Sequence, residues 1–229
     1  MINLFIVCGA GCNEKFFQPV ANKLQDSFRC HVHAPLGSTE DVVLTNLLND
    51  FTLFNSFKEE GSKTFILAHC LGGALVIKLL ADTPQSKVDG LILVNSAPGY
   101  YFMTPESLKA SGESIESYVD FPNVQQALLE GRELEKMQPQ SSLAMTLDYR
   151  EEAKKCSVPT LQIAGDADGM IPVAVAEELS DCLPNNSYEL IEGGRHFSVL
   201  THLDFVCGLV TSWIDTITTP SKAQKYKIV

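Results

Sequence analysis

Thr64-Phe65-Ile66-Leu67-Ala68-His69-Cys70-Leu71-Gly72-Gly73, continued by Ala74-Leu75-Val76-Ile77, is the stretch that decides how this chain folds. An apolar run of strand length meets a sharp turn, and an apolar run of helical length leaves it at once. Ala68 stands two before Cys70 and Gly72 two after it. Such neighbours must be nearly free of side chain, because a strand and a helix converge there. The central residue is driven into a strained backbone conformation and held out at the tip of the turn. This is the pattern of a nucleophile elbow, G-x-S-x-G, with Ala68 for the first glycine and Cys70 for the serine.

On either side of the elbow, short apolar runs alternate with amphipathic stretches, as they do in parallel α/β proteins. Strands are expected over residues 2–8, 28–33, 64–69, 90–95, 160–164 and 188–191. Helices are expected over 16–27, from a Ser38-Thr39-Glu40-Asp41 cap onward, over 71–81 and 173–182, and in a last stripe from Val206 to Ile217. The fold class is α/β, a mostly parallel, doubly wound sheet of about six strands. Between Tyr100 and Glu152 the rhythm breaks, and ten acids stand against four bases. Long insertions without strands are commonly lids or binding elements. The expected division is a core of residues 1–99 and 153–219, a helical lid at 100–152 and a flexible tail at 220–229.

Composition narrows the function classes. With 45% hydrophobic and 20% charged residues the chain is neither disordered nor membranous. A net charge of -11 and a pI near 4.8 argue against broad nucleic-acid binding, which depends on neutralising phosphates. No membrane partner is expected, since the apolar stretch over residues 65–81 is interrupted by His69, Gly72, Gly73 and Lys78. Seven cysteines without a C-x-x-C pair point to a reduced, cytoplasmic compartment. Cys30, Cys156, Cys182 and Cys207 read as small buried residues. Cys8, Cys12, His31 and His33 could be drawn as a metal site, but alternate residues at a strand end share a face by default, and no metal is implied.

A nucleophile needs a base, and the base needs an orienting acid. Gly165-Asp166-Ala167-Asp168-Gly169-Met170-Ile171-Pro172 puts acids just past a strand, and Glu192-Gly193-Gly194-Arg195-His196-Phe197 puts a histidine in a glycine-rich loop. On these residues, in this order, nearly the whole chain resembles the α/β-hydrolase superfamily, with a Cys-Asp-His triad in place of Ser-Asp-His. The resemblance implies Cys70 as nucleophile, Asp168 as acid through G-x-x-D-x-x-x-P, and His196 as base. Asp166 is the weaker candidate, and His202, read as lying inside the last helix, is structural. Some members carry the acid after the preceding strand, where this chain has Asn95 and Ser96. Cys8-Gly9-Ala10-Gly11 resembles the family's H-G-x-G loop, with Cys8 for the histidine. The oxyanion donors it implies are the N–H groups of Ala10 and Leu71. The strands that begin the full-size fold are missing, so a reduced version is expected.

Cysteine at the elbow narrows the chemistry further. A helix start and a neighbouring histidine both favour the thiolate. A thiolate leaves a tetrahedral intermediate more readily than an alkoxide does. Thioesters, activated esters and lactones tolerate that competition, whereas amides and simple alkyl esters do not. The expected activity is therefore a hydrolase or acyl-transfer enzyme working through an acyl-cysteine, on a small-molecule acyl substrate that can be carrier- or coenzyme-bound. Dienelactone hydrolases share such a triad. The acidic insertion weighs against an acidic carrier. Two alternatives stay open: a non-catalytic small-molecule receptor on this scaffold, and a serine hydrolase with a Ser-to-Cys exchange at position 70. No cofactor is implied.

Overall fold

The computed structural model describes residues 1–84, 87–99 and 118–219. Six strands, β1 (Ile2–Val7), β2 (Arg29–His33), β3 (Lys63–His69), β4 (Gly90–Val94), β5 (Thr160–Gly165) and β6 (Asn186–Ile191), form one sheet in the order β2-β1-β3-β4-β5-β6. Every pairing is parallel. β1, β3, β4 and β5 are buried almost throughout, which is why they read as continuous apolar runs. β6 is a half-exposed edge strand and begins two residues before its apolar pattern does.

Around the sheet lie α1 (Glu14–Leu24), α2 (Glu40–Ser56), α3 (Leu71–Asp82), α4 (Pro122–Gly131), α5 (Leu134–Ala144), α6 (Arg150–Lys155), α7 (Val173–Cys182), α8 (Ser198–Thr201) and α9 (Leu203–Thr218). Each face of the sheet has its own core. Phe16, Phe17 and Val20 of α1 pack with Val206, Val210 and Ile214 of α9 against Leu4, Ile6 and Leu67. Val43, Leu47 and Phe51 of α2 pack with α3 and with Ala176 and Leu179 of α7 against Phe5, Val7 and Ile66. α1 starts earlier than its apolar pattern because Asn13 caps it, accepting from the Lys15 N–H at 3.0 Å. The expected Ser38-Thr39 cap is not made. Thr39 has N-cap backbone geometry, but its hydroxyl caps nothing.

Of the insertion expected between Tyr100 and Glu152, residues 100–117 lie outside the described residues, as does the tail at 220–229. The described part carries α4, α5 and the start of α6, with only isolated bridges to Cys12 and Gly99. Among the described residues no helix is long and apolar enough to cross a membrane. The chain runs from β1 outward to β2, then returns to place β3 on the other side of β1. The crevice at such a reversal, beyond the carboxyl ends of the strands, is where open α/β sheets bind ligands. Here it separates the loop after β1 from the elbow after β3.

Candidate active site

The elbow is built as its sequence demands. Cys70 has φ 54° and ψ -126°, a left-handed conformation that a side chain rarely adopts. Its N–H donates to the Val94 carbonyl at 3.2 Å, and its own carbonyl accepts from the Ser96 hydroxyl at 2.9 Å. Val94 ends β4 and Ser96 follows two residues on, so the strain is held from the neighbouring strand and the turn after it. Gly72 is required by close approach. A Cβ there would lie 2.5 Å from the Cys8 carbonyl oxygen and 2.8 Å from that of Val7. The start of α3 therefore presses on the end of β1.

β5 and the loop after β6 bring the expected acid and histidine to Cys70. Asp168 Oδ2 lies 3.0 Å from His196 Nδ1, and the histidine is also hydrogen-bonded to Cys70. Asp168 is itself fixed: Oδ1 accepts from the Met170 and Ile171 N–H groups at 2.8 and 2.9 Å, and Oδ2 accepts from Asn95 Nδ2 at 2.9 Å. Asp166 does something else, accepting from the Gly193 N–H at 2.7 Å and bracing the histidine loop from outside. His202 lies at the junction of α8 and α9, not inside the last helix, and pairs with the Thr201 hydroxyl at 2.9 Å.

The electrostatics of the cluster follow from burial and charge. Burial pushes His196 toward neutrality, but Asp168 and Cys70 outweigh it and hold the imidazole well above its ordinary value. Burial would raise Asp168, yet the His196 charge and the hydrogen bonds from His196, Ile171 and Met170 keep it below the usual carboxylate value. A charged imidazole beside the Asp168 carboxylate is the state these neighbours favour. The surroundings are buried and aromatic, with Phe197 packed on His196, Phe16 on His69, and Tyr118 on Phe197. Charge interactions there are stronger than in water.

Three polar residues escaped the sequence reading. His69, in the elbow itself, donates Nε2–H to the His196 carbonyl at 3.0 Å and so fixes the backbone at His196. Its burial, then the charge of His196, press it down to about 3, so it stays neutral. Asn95, at φ 45°, bridges Asp168 and the Ser198 hydroxyl. The third is Gln140 of α5, 1% exposed, whose Oε1 accepts from the Gly11 N–H at 2.7 Å. The signal for His69 was its place beside Cys70. Nothing local marks Gln140.

The N–H groups of Ala10, in the loop after β1, and of Leu71, next to Cys70, have no acceptor among the described residues. The composite metal site drawn from Cys8, Cys12, His31 and His33 is divided by the sheet. Cys8 and Cys12 pack on the α1 face, while His31 and His33 stack on Phe5 and share Asp50 on the other. The donor atoms of His69, Cys70 and His196 do lie within 4.8 Å of one another, but they include the hydrogen-bonded Cys–His pair. Cys156, Cys182 and Cys207 are buried as expected, whereas Cys30 is only half-buried.

No family model matches the chain. It is 25% identical over 232 residues to the pimeloyl-[acyl-carrier protein] methyl ester esterase of Aliivibrio fischeri strain MJ11, covering 88% of this chain and 89% of the relative. Among solved structures, a lipase-esterase related protein from Clostridium acetobutylicum superposes with a TM-score of 0.78 at 15% identity, over 92% of this chain and 93% of that one. The enol-lactonase from Burkholderia xenovorans superposes with a TM-score of 0.72 at 18% identity, over 93% and 92%. The fold is that of the α/β-hydrolases, and the likeness in sequence supports an enzyme of the esterase type.

Proposed function

We propose that this chain is a hydrolase or acyl-transfer enzyme that works through an acyl-cysteine at Cys70. The observation that carries this reading is the buried chain of hydrogen bonds from Asp168 through His196 to Cys70, ending on a strained residue at the sheet reversal. Cys70 sulfur bonds to the acyl carbon, and the carbonyl oxygen takes up negative charge facing the Ala10 and Leu71 N–H groups. The bond to the leaving group then breaks, and His196 gives that group its proton. In the second half, water or another acceptor yields a proton to His196 and attacks the same carbon, and the Cys70 thiolate departs.

The acyl group is an activated one, a thioester or an activated ester or lactone, because the thiolate competes with any poorer leaving group for expulsion. The relatives in sequence carry names that place their substrate ester on an acyl-carrier protein, and a carrier-bound acyl chain is a reading that this similarity favours. In the described part of the insertion, the acids Glu133, Asp148 and Glu151 are paired with Lys136, Arg150 and Lys154. That pairing lowers the charge a carrier would meet. We assign substrate selection to α4 and α5, which pack beside the loop after β1.

Intact-mass spectrometry after incubation with matched acyl thioesters, aryl esters and lactones tests the proposal. The expected result is one acyl adduct, mapped to Cys70, with preference for the activated donors. An unmodified protein that hydrolyses the panel, or an adduct on another residue, would overturn it.

A further inference from the structure

The strip between Gly131 and Gln140 grips the loop after β1 in two ways. Asn13 donates its N–H to the Gly131 carbonyl and Glu133 donates its N–H to the Gly11 carbonyl, both at 2.7 Å, in a short antiparallel bridge. Beyond it, the buried Gln140 carboxamide is used at both ends. Oε1 accepts from the Gly11 N–H at 2.7 Å, and Nε2 donates to the Pro35 carbonyl at 2.8 Å, with the Gly37 carbonyl at 3.4 Å. Gly11 has φ +67°, and a Cβ there would lie 2.7 Å from Met137 Cβ, so α5 is seated directly on the loop. The Gly11 N–H belongs to the same planar peptide as the Ala10 carbonyl. The Ala10 N–H lies in the preceding peptide, so holding this plane restrains it through the two Ala10 dihedrals.

We propose that Gln140 is a positioning residue for the oxyanion loop, clamping it to the loop after β2 so that the Ala10 N–H faces the developing oxyanion only while α5 is seated. The inference rests on the acyl-cysteine reading and deepens it. Cys8 stands at the start of this loop, and among the described residues its thiol reaches the Asn13 carbonyl, at 3.6 Å. Within the loop the Cys12 N–H donates to the Gly9 carbonyl at a long 3.3 Å, and the carboxamide adds a shorter hold from 129 residues away. Substrate selection and transition-state stabilisation are joined in one helix.

The test compares two reactions of Cys70 in wild type, Gln140→Leu and Gln140→Glu. Acylation by p-nitrophenyl acetate builds an oxyanion; alkylation by iodoacetamide displaces iodide from a saturated carbon and builds none. Gln140→Leu is expected to slow acylation by about 10- to 100-fold, less than the loss of a whole oxyanion donor. Alkylation should stay within about two-fold, because the thiol and its histidine are untouched. Gln140→Glu, which keeps an acceptor for the Gly11 N–H, should fall between, and it carries the comparison alone if Gln140→Leu does not fold. Hydrogen exchange at Gly11 should quicken in parallel with the acylation loss. Unchanged acylation in the variants, or equal loss of acylation and alkylation, overturns the role of Gln140. A wild type that alkylates but never acylates overturns the acyl-cysteine reading beneath it.

Discussion

The two sides of the candidate site are held in opposite ways. The elbow, β3 and α3 with Cys70 between them, is one unbroken stretch of chain. At Cys70 its backbone is held from outside by Val94, the end of the adjoining strand, and by Ser96 just past it. The loop after β1 is gripped by residues 131–140, far along the sequence and outside the sheet. The thiol is thus placed by topology, whereas the loop opposite leans on an insertion. Reactivity of the sulfur and stabilisation of the oxyanion should therefore respond to different substitutions.

The largest separation is expected at the acid. Asp168→Asn leaves His196 without the carboxylate that sets its tautomer, and turnover should fall by up to about 10⁴-fold. Asp166→Asn keeps an acceptor for the Gly193 N–H and should cost turnover about three-fold or less. Steady-state kinetics on one thioester decides, and a folded Asp166→Asn that is the more damaged of the two sinks the assignment. Cys70→Ser comes next. The hydroxyl must be deprotonated during attack, so thioester turnover should drop by about 10²- to 10³-fold, a general-base-sized effect. The ratio of simple-ester to thioester turnover should rise. An unchanged ratio means that leaving-group competition is not what the cysteine serves.

Two smaller effects sharpen the contrast through stability. Gly72→Ala forces a methyl against the Cys8 and Val7 carbonyls, where elbow and loop touch, and should cost about 1–3 kcal/mol in urea unfolding. A neutral result would mean that the two sides are not in contact there. His69, held neutral with its value near 3 while an unfolded histidine titrates near 6.5, gives stability that is full above pH 6.5. As pH falls from there toward 3 the unfolded chain takes up the extra proton, and stability drops by at most about 1.4 kcal/mol per pH unit. His33, also lowered by burial, acts in the same direction. His196 does not offset this slope, because its raised value leaves it protonated in both states below pH 6.5. His69→Gln should flatten the profile, and an equal slope in the variant would remove His69 as its source.

The same contrast explains what could be read from the sequence. Strand, turn and helix about Cys70 lie within one window, so composition and spacing reveal them together. Gly165, Asp168 and Pro172 likewise carry their meaning locally, because the acid and the turn that presents it are adjacent. Asn13 was a visible cap before α1, and reading the apolar pattern alone set that helix two residues late. β6 was cut short because an edge strand with one exposed face has no continuous apolar run. Gln140 was invisible for a different reason. In Leu134-Glu135-Lys136-Met137-Gln138-Pro139-Gln140 it is one polar residue among others, and only the folded chain distinguishes it from Gln138. In the sequence Asn95 marks only the lack of an acid after β4, while in the fold its amide donates to Asp168 beyond β5.

That last contact bears on how such a site could change over evolutionary time. Asn95 Nδ2 lies 2.9 Å from Asp168 Oδ2, so the ends of β4 and β5 deliver their side chains to almost the same point. An amide and a carboxylate of nearly equal size could trade places there without moving the histidine. Ser198, already donating to the Asn95 oxygen, would become a partner for a carboxylate at that position. The acid of this site is in this sense a shared post, with an understudy one strand away. A lineage could pass through a doubly acidic state and arrive at the exchanged pair, its elbow, base and oxyanion loop unaltered.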